Sequence, residues 1–294
     1  MASSSPRSQA FSWGAVFRLL RWDKPTGRLI LMVPALWSVF LAAEGRPPWP
    51  LVGVIILGAL ATSAAGCVVN DLWDRNIDPN VKRTQKRPLA ARELSVAVGI
   101  GVLLVCLLCA YGLSLYLNQL SFILCVLAVP VILLYPLAKR VFPVPQLVLS
   151  IAWGFAVLIP WAAVTNQLDL PVWILWLAVL LWTLGFDTVY AMPDREDDRR
   201  LGVNSAALFF GDFTPRFVGF CFLGTWLLLI WLGLLLLLAW PFWVGLAIAL
   251  ILWSRQYYLL SRYNPPPKLF GQIFRQNVLL GFVMLAGIIG GSLL

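Results

Sequence analysis

The sequence predicts an all-α membrane protein in which nine transmembrane helices form a bundle, and three observations support this fold class. Hydrophobic residues make up 61% of the 294 residues and charged residues only 12%, whereas soluble domains carry about 25% charged residues. The apolar residues fall into runs close to the ~20 residues that a helix needs to cross a bilayer. Basic residues collect in alternate breaks between these runs, a pattern typical of the cytoplasmic loops of membrane proteins.

Two short segments precede the first apolar run. Residues 1–10 are Ser-rich and lack acidic residues, and we expect them to form a disordered tail. Residues 11–21 set Phe, Trp, Val and Leu against Arg18 and Arg21, which predicts a short helix lying on the membrane surface. We expect the whole chain, 1–294, to form a single intramembrane domain.

The breaks between the nine predicted spans contain proline, asparagine or charged residues. Most of these breaks are short, and such connections make consecutive helices antiparallel neighbours in a compact bundle. The predicted spans are 28–43, 51–69, 94–113, 119–138, 145–164, 171–188, 216–238, 240–260 and 272–292.

The distribution of basic residues predicts the orientation in the membrane. With nine spans, every Lys and Arg except Arg46 falls on the side of the N-terminus. The positive-inside rule then places the N-terminus in the cytoplasm and the C-terminus on the opposite side. The net charge of +9 is therefore explained by topology, and we expect no nucleic-acid partner.

Histidine is absent from the chain. This excludes Ser-His-Asp and Cys-His catalysis, His-ligated haem and His-containing zinc sites. The five cysteines are scattered through apolar runs, where they are expected to be small buried side chains.

Two acidic stretches directly follow apolar runs, at a depth where charge is costly. Asp71, Asp74 and Asp78 follow the second span with spacing i, i+3, i+7, which places them on one face if the helix continues. The second stretch follows the sixth span and contains Asp187, Asp194 and Asp198. Pro193 is expected to interrupt the helix there. Because four spans separate the two stretches, the sequence predicts two parallel four-helix repeats with the ninth helix appended.

Oxygen ligands without His or Cys nearby favour a hard cation, so we predict that these carboxylates bind Mg²⁺ together with a diphosphate. Two such stretches facing one another would hold two or three Mg²⁺ ions. An apolar bundle around such a site indicates a lipid diphosphate substrate. Departure of pyrophosphate from an allylic diphosphate leaves a carbocation, which must be shielded from water and held beside an electron-rich partner.

Basic residues near the acidic stretches are candidates for substrate binding. Arg83 and Arg87 have the spacing and the planar fork to bind phosphate oxygens. Lys139 and Arg140 end the fourth span and are candidates for holding a substrate carboxylate. The other candidates are Lys24, Arg28, Arg75 and Lys82.

Paired motifs in the chain resemble those of the UbiA superfamily of intramembrane prenyltransferases. These motifs are Asn70-Asp71-x-x-Asp74-x-x-x-Asp78, Val81-Lys82-Arg83-Thr84-x-x-Arg87-Pro88-Leu89 and Asp187-Thr-x-Tyr190-Ala191-x-x-Asp194-Arg195-x-Asp197-Asp198. Asp23-Lys24-Pro25-x-Gly27 and Tyr135-Pro136-x-x-Lys139-Arg140 are similar to the 4-hydroxybenzoate polyprenyltransferase branch, and other segments resemble its cyanobacterial members.

The resemblance implies the nine-helix UbiA fold and transfer of a long, solanesyl-type polyprenyl group from its diphosphate to 4-hydroxybenzoate, ortho to the hydroxyl, in prenylquinone biosynthesis. It implies that the six aspartates of the two stretches hold Mg²⁺ and the diphosphate and that Arg140 contacts the acceptor carboxylate. Asn70 and Tyr190 match recurrent positions of the family. The implied location is the bacterial plasma membrane or the thylakoid, with a cytoplasmic active site and no obligatory protein partner.

Three alternatives remain open. A related prenyltransferase acting on homogentisate, chlorophyllide or naphthoate would share the fold and the metal site. A CDP-alcohol phosphotransferase also uses clustered aspartates, but its Asp-x-x-Asp-Gly-type motif is absent. A divalent-cation transporter would place polar groups at the middle of the bilayer, whereas the acidic residues here cluster at one end of the predicted spans.

Overall fold

A computed structural model describes residues 12–24, 26–263 and 265–294, so the predicted tail at 1–10 lies outside the described residues. All regular structure in the described part is helical, which confirms the predicted fold class. The long helices are α2 (Thr26–Ala42), α3 (Trp49–Asp74), α4 (Val96–Ser114), α5 (Gln119–Leu134), α7 (Pro145–Thr165), α8 (Leu170–Ala191), α11 (Thr214–Leu235), α12 (Trp240–Leu260) and α13 (Pro267–Leu293). The short helices are α1 (Trp13–Leu19), α6 (Ala138–Val141), α9 (Arg195–Leu201) and α10 (Ala206–Phe210).

The nine long helices of the described residues correspond in order to the nine predicted spans. Eight are long and apolar enough to cross a membrane when α5 is taken together with the following turn and α6 (Gln119–Val141), and α2 is shorter at 17 residues. At 1.5 Å per residue α2 is ~25 Å long, close to the ~30 Å hydrocarbon core. The count of nine full spans is therefore approximate.

The largest differences from the predicted bounds are at two helix ends. Helix α3 continues five residues past the predicted end at residue 69, and α13 begins five residues before the predicted start at 272. The apolar pattern stops at Val69, but the following polar turn stays helical as far as Asp74, where both aspartates of that turn have basic partners. Helix α13 starts with Pro267, and proline suits the first helical position because that position needs no backbone donor.

Six of the long helices pack as a closed ring that includes α2. Helix α2 contacts α3, α7 and α13, and contacts continue from α7 through α8, α11 and α12 to α13. Helix α4 packs on α3, and α5 packs on α7. The units α2–α5 and α7, α8, α11, α12 have the order expected for the two repeats, with α13 appended.

The second repeat has a dense core that includes a buried polar network. Asn277 Oδ1 accepts hydrogen bonds from Trp182 Nε1 (2.8 Å) and Trp253 Nε1 (3.1 Å), and its Nδ2 donates to Gln256 Oε1 (3.1 Å). Trp37 of α2 stacks on Trp182 with ring centroids 5.0 Å apart. Such a satisfied network fixes the relative positions of α8, α12 and α13.

Both acidic stretches lie where a long helix gives way to a 3₁₀ turn. Helix α3 ends at Asp74 and is followed by the turn Asp78–Asn80. Helix α8 ends at Ala191, and the turn Met192–Asp194 contains Pro193, which confirms the predicted interruption. The same local structure in both repeats brings the two stretches to one end of the bundle.

Helix α1 lies within the segment predicted to be interfacial. Ala15, Val16 and Leu19 are buried, whereas Trp13 and Phe17 are exposed. Arg18 forms an ion pair with Glu93 of the loop that follows the first acidic stretch. The location of α1 at a membrane surface stays a prediction.

Candidate active site

The first acidic stretch is buried, and Arg87 bridges two of its carboxylates. Asp71 and Asp78 are only 1% and 4% exposed. Arg87 Nη1 lies 3.1 Å from Asp71 Oδ1 and 2.9 Å from Asp78 Oδ2. Arg21 Nη2 donates to both oxygens of Asp71, at 2.7 and 2.9 Å. Burial alone would lower the pKa of Arg87, but the two carboxylates raise it above its usual value, so Arg87 stays charged.

Asp74 is paired on one side only. Its Oδ2 accepts a hydrogen bond from Lys139 Nζ at 2.5 Å. Asp74 is only 2% exposed, so water does not reach its Oδ1. This oxygen has no hydrogen-bond partner among the described residues. A buried carboxylate oxygen without a partner is destabilising. This oxygen is thus available to a cation.

Arg83 connects the loop after α3 to the second acidic stretch. It donates from Nε and Nη2 to Asp194 Oδ2, at 2.9 and 2.5 Å, and from Nη1 to Tyr190 Oη at 2.6 Å. Its guanidinium carbon lies 4.5 Å from the centroid of the Tyr190 ring. Burial lowers the pKa of Arg83, but Tyr190 and Asp194 outweigh this and raise it. The two predicted motifs therefore meet through Arg83.

Asp187 and Asp198 have no Lys or Arg within ion-pair distance among the described residues. In that part of the chain no three His, Cys, Asp or Glu side chains are close enough together to hold a metal ion. Arg21, Arg87 and Lys139 occupy the positions where a cation would neutralise the carboxylates.

A cavity of about 1620 Å³ begins at Arg21 and Arg87 and extends between α2, α3, α4, α5 and α7. Its walls are mainly apolar, and its polar end is formed by Arg21, Arg83, Arg87, Asp187 and Tyr190. Pockets for small ligands typically measure ~300–1,000 Å³. This cavity is large enough for a long hydrocarbon chain with a charged head.

Apart from Arg75 and Arg140, the predicted site residues fall into three groups. Six line the cavity: Lys24, Arg28, Arg83, Arg87, Asp187 and Tyr190. Asp71, Asp78 and Asp194 lie directly behind it, each bound to a basic residue that lines it. The remaining candidates, Asn70, Asp74, Lys82, Lys139 and Asp198, are not part of its lining.

Arg75 and Arg140 lie elsewhere. They line a separate small pocket with Trp73 and Leu201. Arg140 Nη2 donates to the carbonyl oxygen of Trp73 at 2.6 Å, and Arg75 Nη1 donates to that of Leu72 at 3.0 Å. The last carbonyls of a helix lack intrahelical partners, and both arginines satisfy such groups at the end of α3. The expected contact between Arg140 and an acceptor carboxylate is not supported by this position.

Sequence reasoning missed Arg21 as a site residue, because its charge was assigned to the surface helix and the topology. It stands two residues before the motif Asp23-Lys24-Pro25, and that proximity was the available signal. Tyr135 and Arg275 also line the cavity. Tyr135 belongs to a quoted motif, whereas Arg275 had no sequence signal beyond its charge.

Comparison with known proteins gives a consistent result. The model of the UbiA prenyltransferase family matches residues 31–278. The chain is 64% identical over 293 residues to 4-hydroxybenzoate solanesyltransferase of Synechocystis sp., with 100% of each chain covered. It is 40% identical over 270 residues to 4-hydroxybenzoate octaprenyltransferase of Cupriavidus necator, covering 92% of this chain and 94% of that one.

Solved structures show the same fold. The apo structure of a UbiA homologue from Aeropyrum pernix superposes with a TM-score of 0.78 at 23% identity, covering 89% of this chain and 96% of that one. A UbiA homologue from Archaeoglobus fulgidus, bound to GPP and Mg²⁺, gives a TM-score of 0.71 at 19% identity, covering 92% and 99%.

Proposed function

Because the chain belongs to the UbiA prenyltransferase family, we propose that it transfers a long polyprenyl group from its diphosphate to the ring carbon ortho to the hydroxyl of 4-hydroxybenzoate. One observation supports this above all others. A single apolar cavity of about 1620 Å³ ends at two acidic stretches that Arg83 joins. The named relatives favour the solanesyl or octaprenyl group as donor and 4-hydroxybenzoate as acceptor.

The aspartates of the two acidic stretches fit Mg²⁺ in their chemistry. All six proposed ligands are carboxylates, and Asp74 Oδ1 is buried without a partner among the described residues. The proposed ligands are Asp71, Asp74, Asp78, Asp187, Asp194 and Asp198. When bound there, Mg²⁺ stabilises negative charge on the departing pyrophosphate.

Basic residues of the site bind the diphosphate in this proposal. Arg21 and Arg87 line the cavity and pair with Asp71, so a cation that neutralises this carboxylate leaves both guanidinium groups available for phosphate oxygens. Arg83 is held in place by Asp194 and the Tyr190 hydroxyl. Lys24 lines the same end.

The apolar walls protect the reaction from water. Departure of pyrophosphate from an allylic carbon leaves a carbocation that water would capture. Trp153, Phe155 and Phe274 line the cavity together with aliphatic side chains of α3, α4 and α5. These residues exclude solvent while the acceptor ring is held next to the allylic carbon.

An acceptor panel tests the proposed function. With purified protein, Mg²⁺ and labelled solanesyl diphosphate, we expect prenylation of 4-hydroxybenzoate in preference to homogentisate, chlorophyllide and naphthoate. Product is identified by mass, and pyrophosphate release is measured in parallel. Preference for another acceptor would overturn the assigned substrate. Absence of pyrophosphate release with every acceptor would overturn the enzymatic function and favour the transporter alternative.

We propose that the polar end faces the cytoplasm, in the plasma membrane or the thylakoid membrane. The basic residues support this orientation, and both acidic stretches lie at the same end of the bundle. We expect accessibility tags at the N-terminus and in the loop near Lys82 to be cytoplasmic, and a tag near Arg46 to report the opposite side. A tag near Lys82 that is exposed outside the cytoplasm would contradict the orientation.

A further inference from the structure

Arg28 is a buried cation that has no hydrogen-bond partner within the part of the chain that the structure describes. It lies in the first turns of α2 and is 2% exposed. Its Nε, Nη1 and Nη2 atoms are all buried and unpartnered among the described residues. An arginine has five N–H donors, and burying them unpaired is strongly unfavourable. The Trp22 ring lies 4.0 Å from the guanidinium carbon and offers a cation–π contact, which satisfies none of these donors.

Arg28 is one of the residues that line the large cavity, so a ligand bound at this part of the wall lies next to its side chain. Cys67 of α3 and Asp23 line the same cavity. Cys67 precedes Asp71 by four residues in α3, about one helical turn of ~5.4 Å. An anion bound by Arg28 would therefore lie close to the polar end but one turn further into the apolar part.

The surroundings of Arg28 differ from those of the arginines at the acidic stretches. Arg83 and Arg87 each bind at least one aspartate of the two acidic stretches. Arg28 forms no ion pair among the described residues. Its planar guanidinium group lies over the Trp22 ring. The apolar residues Leu31 and Ala35 of the same helix line the cavity as well. This combination matches one carboxylate on an aromatic ring.

On the basis of the proposed function, we propose that Arg28 binds the carboxylate of the aromatic acceptor and thereby selects acceptors that carry one. In this ion pair the guanidinium group of Arg28 and the carboxylate of the acceptor neutralise one another in the apolar cavity. It also holds the ring of the acceptor near the polar end, where the allylic carbon of the donor is released. Arg140, outside the cavity, has no part in this contact.

The test is Arg28→Met, which retains the length of the side chain and removes its charge. We expect the KM for 4-hydroxybenzoate to rise at least ~10-fold, the scale of a hydrogen bond to a charged group, while the KM for solanesyl diphosphate stays within about twofold. Wild-type protein should prefer 4-hydroxybenzoate over the neutral 4-hydroxybenzamide, and Arg28→Met should lose this preference. Calorimetric binding of 4-hydroxybenzoate without donor should weaken by a similar factor.

Two further variants keep the result interpretable. Arg28→Lys restores the charge without the fork and should recover part of the affinity, and it replaces Arg28→Met if the latter fails to fold. Arg255→Met removes an exposed arginine of α12 that does not line the cavity, and it should change neither KM.

Three results would overturn the inference. In the first, the donor KM rises instead of the acceptor KM, which would assign Arg28 to the diphosphate. In the second, Arg28→Met keeps the preference for the carboxylate. In the third, Arg140→Ala weakens binding of 4-hydroxybenzoate and Arg28→Met does not. Failure of wild-type protein to prenylate any acceptor would instead refute the proposed function, and calorimetric binding then still tests the contact.

Discussion

Asp74→Ala and Asp194→Ala are each expected to reduce turnover by at least ~10²-fold, the effect of removing one preorganised electrostatic element. Asp74 offers a buried oxygen without a partner in the described part of the chain, and Asp194 holds Arg83 at the junction of the two motifs. The measurement is Mg²⁺-dependent pyrophosphate release from labelled solanesyl diphosphate with 4-hydroxybenzoate present.

Glu196→Ala is the matched control for this pair of variants. Glu196 lies two residues after Asp194, and its carboxylate is exposed and pairs with Arg199 at the surface. We expect near-normal turnover from this variant, since an exposed pair contributes little. If Asp74→Ala or Asp194→Ala were folded in the membrane with near-normal activity, that carboxylate would not be a required ligand.

The second large effect is expected for the stability of Arg87→Gln. Arg87 neutralises Asp71 and Asp78, and its removal leaves both carboxylates buried with less compensation. Breaking a buried pair in this way typically lowers the free energy of unfolding by ~3–5 kcal/mol. We expect a lower Tm in detergent without divalent metal. Addition of Mg²⁺ should recover part of the loss, because the metal replaces the missing charge and stabilises the folded state by binding.

The response to metal is the decisive part of this experiment. Arg92→Gln is the control, because Arg92 is exposed and bonds to Asn76 outside the carboxylate cluster. It should show a small change in Tm that is insensitive to Mg²⁺. An equal loss of Tm for Arg87→Gln with and without Mg²⁺ would argue against metal binding at Asp71 and Asp78. An unchanged Tm would show that the Arg87 bridge contributes nothing to stability.

The sequence alone determined the helices and their order. The thickness of a bilayer sets the length of an apolar run. Such a run forms a helix, because its backbone N–H and C=O groups find no water in lipid and must bond to one another. Proline, asparagine and charged residues then mark the breaks. The positions of Asp74 and Asp194 after the second and sixth spans predicted that the two stretches meet. The Arg83–Asp194 pair shows that the loop after the first stretch reaches the second.

Only the tertiary structure decided which side chains meet at the site. Arg21 pairs with Asp71 across 50 positions of sequence, Lys139 with Asp74 across 65, and Arg83 with Asp194 across 111. Periodicity fixes the face of one helix, but the rotation of a helix against its neighbours is set by packing throughout the bundle. For this reason both Arg28 and Arg140 were substrate-binding candidates in the sequence, and the acceptor carboxylate was assigned to Arg140. In the structure one is buried at the wall of the cavity, whereas the other binds a backbone carbonyl at the end of α3.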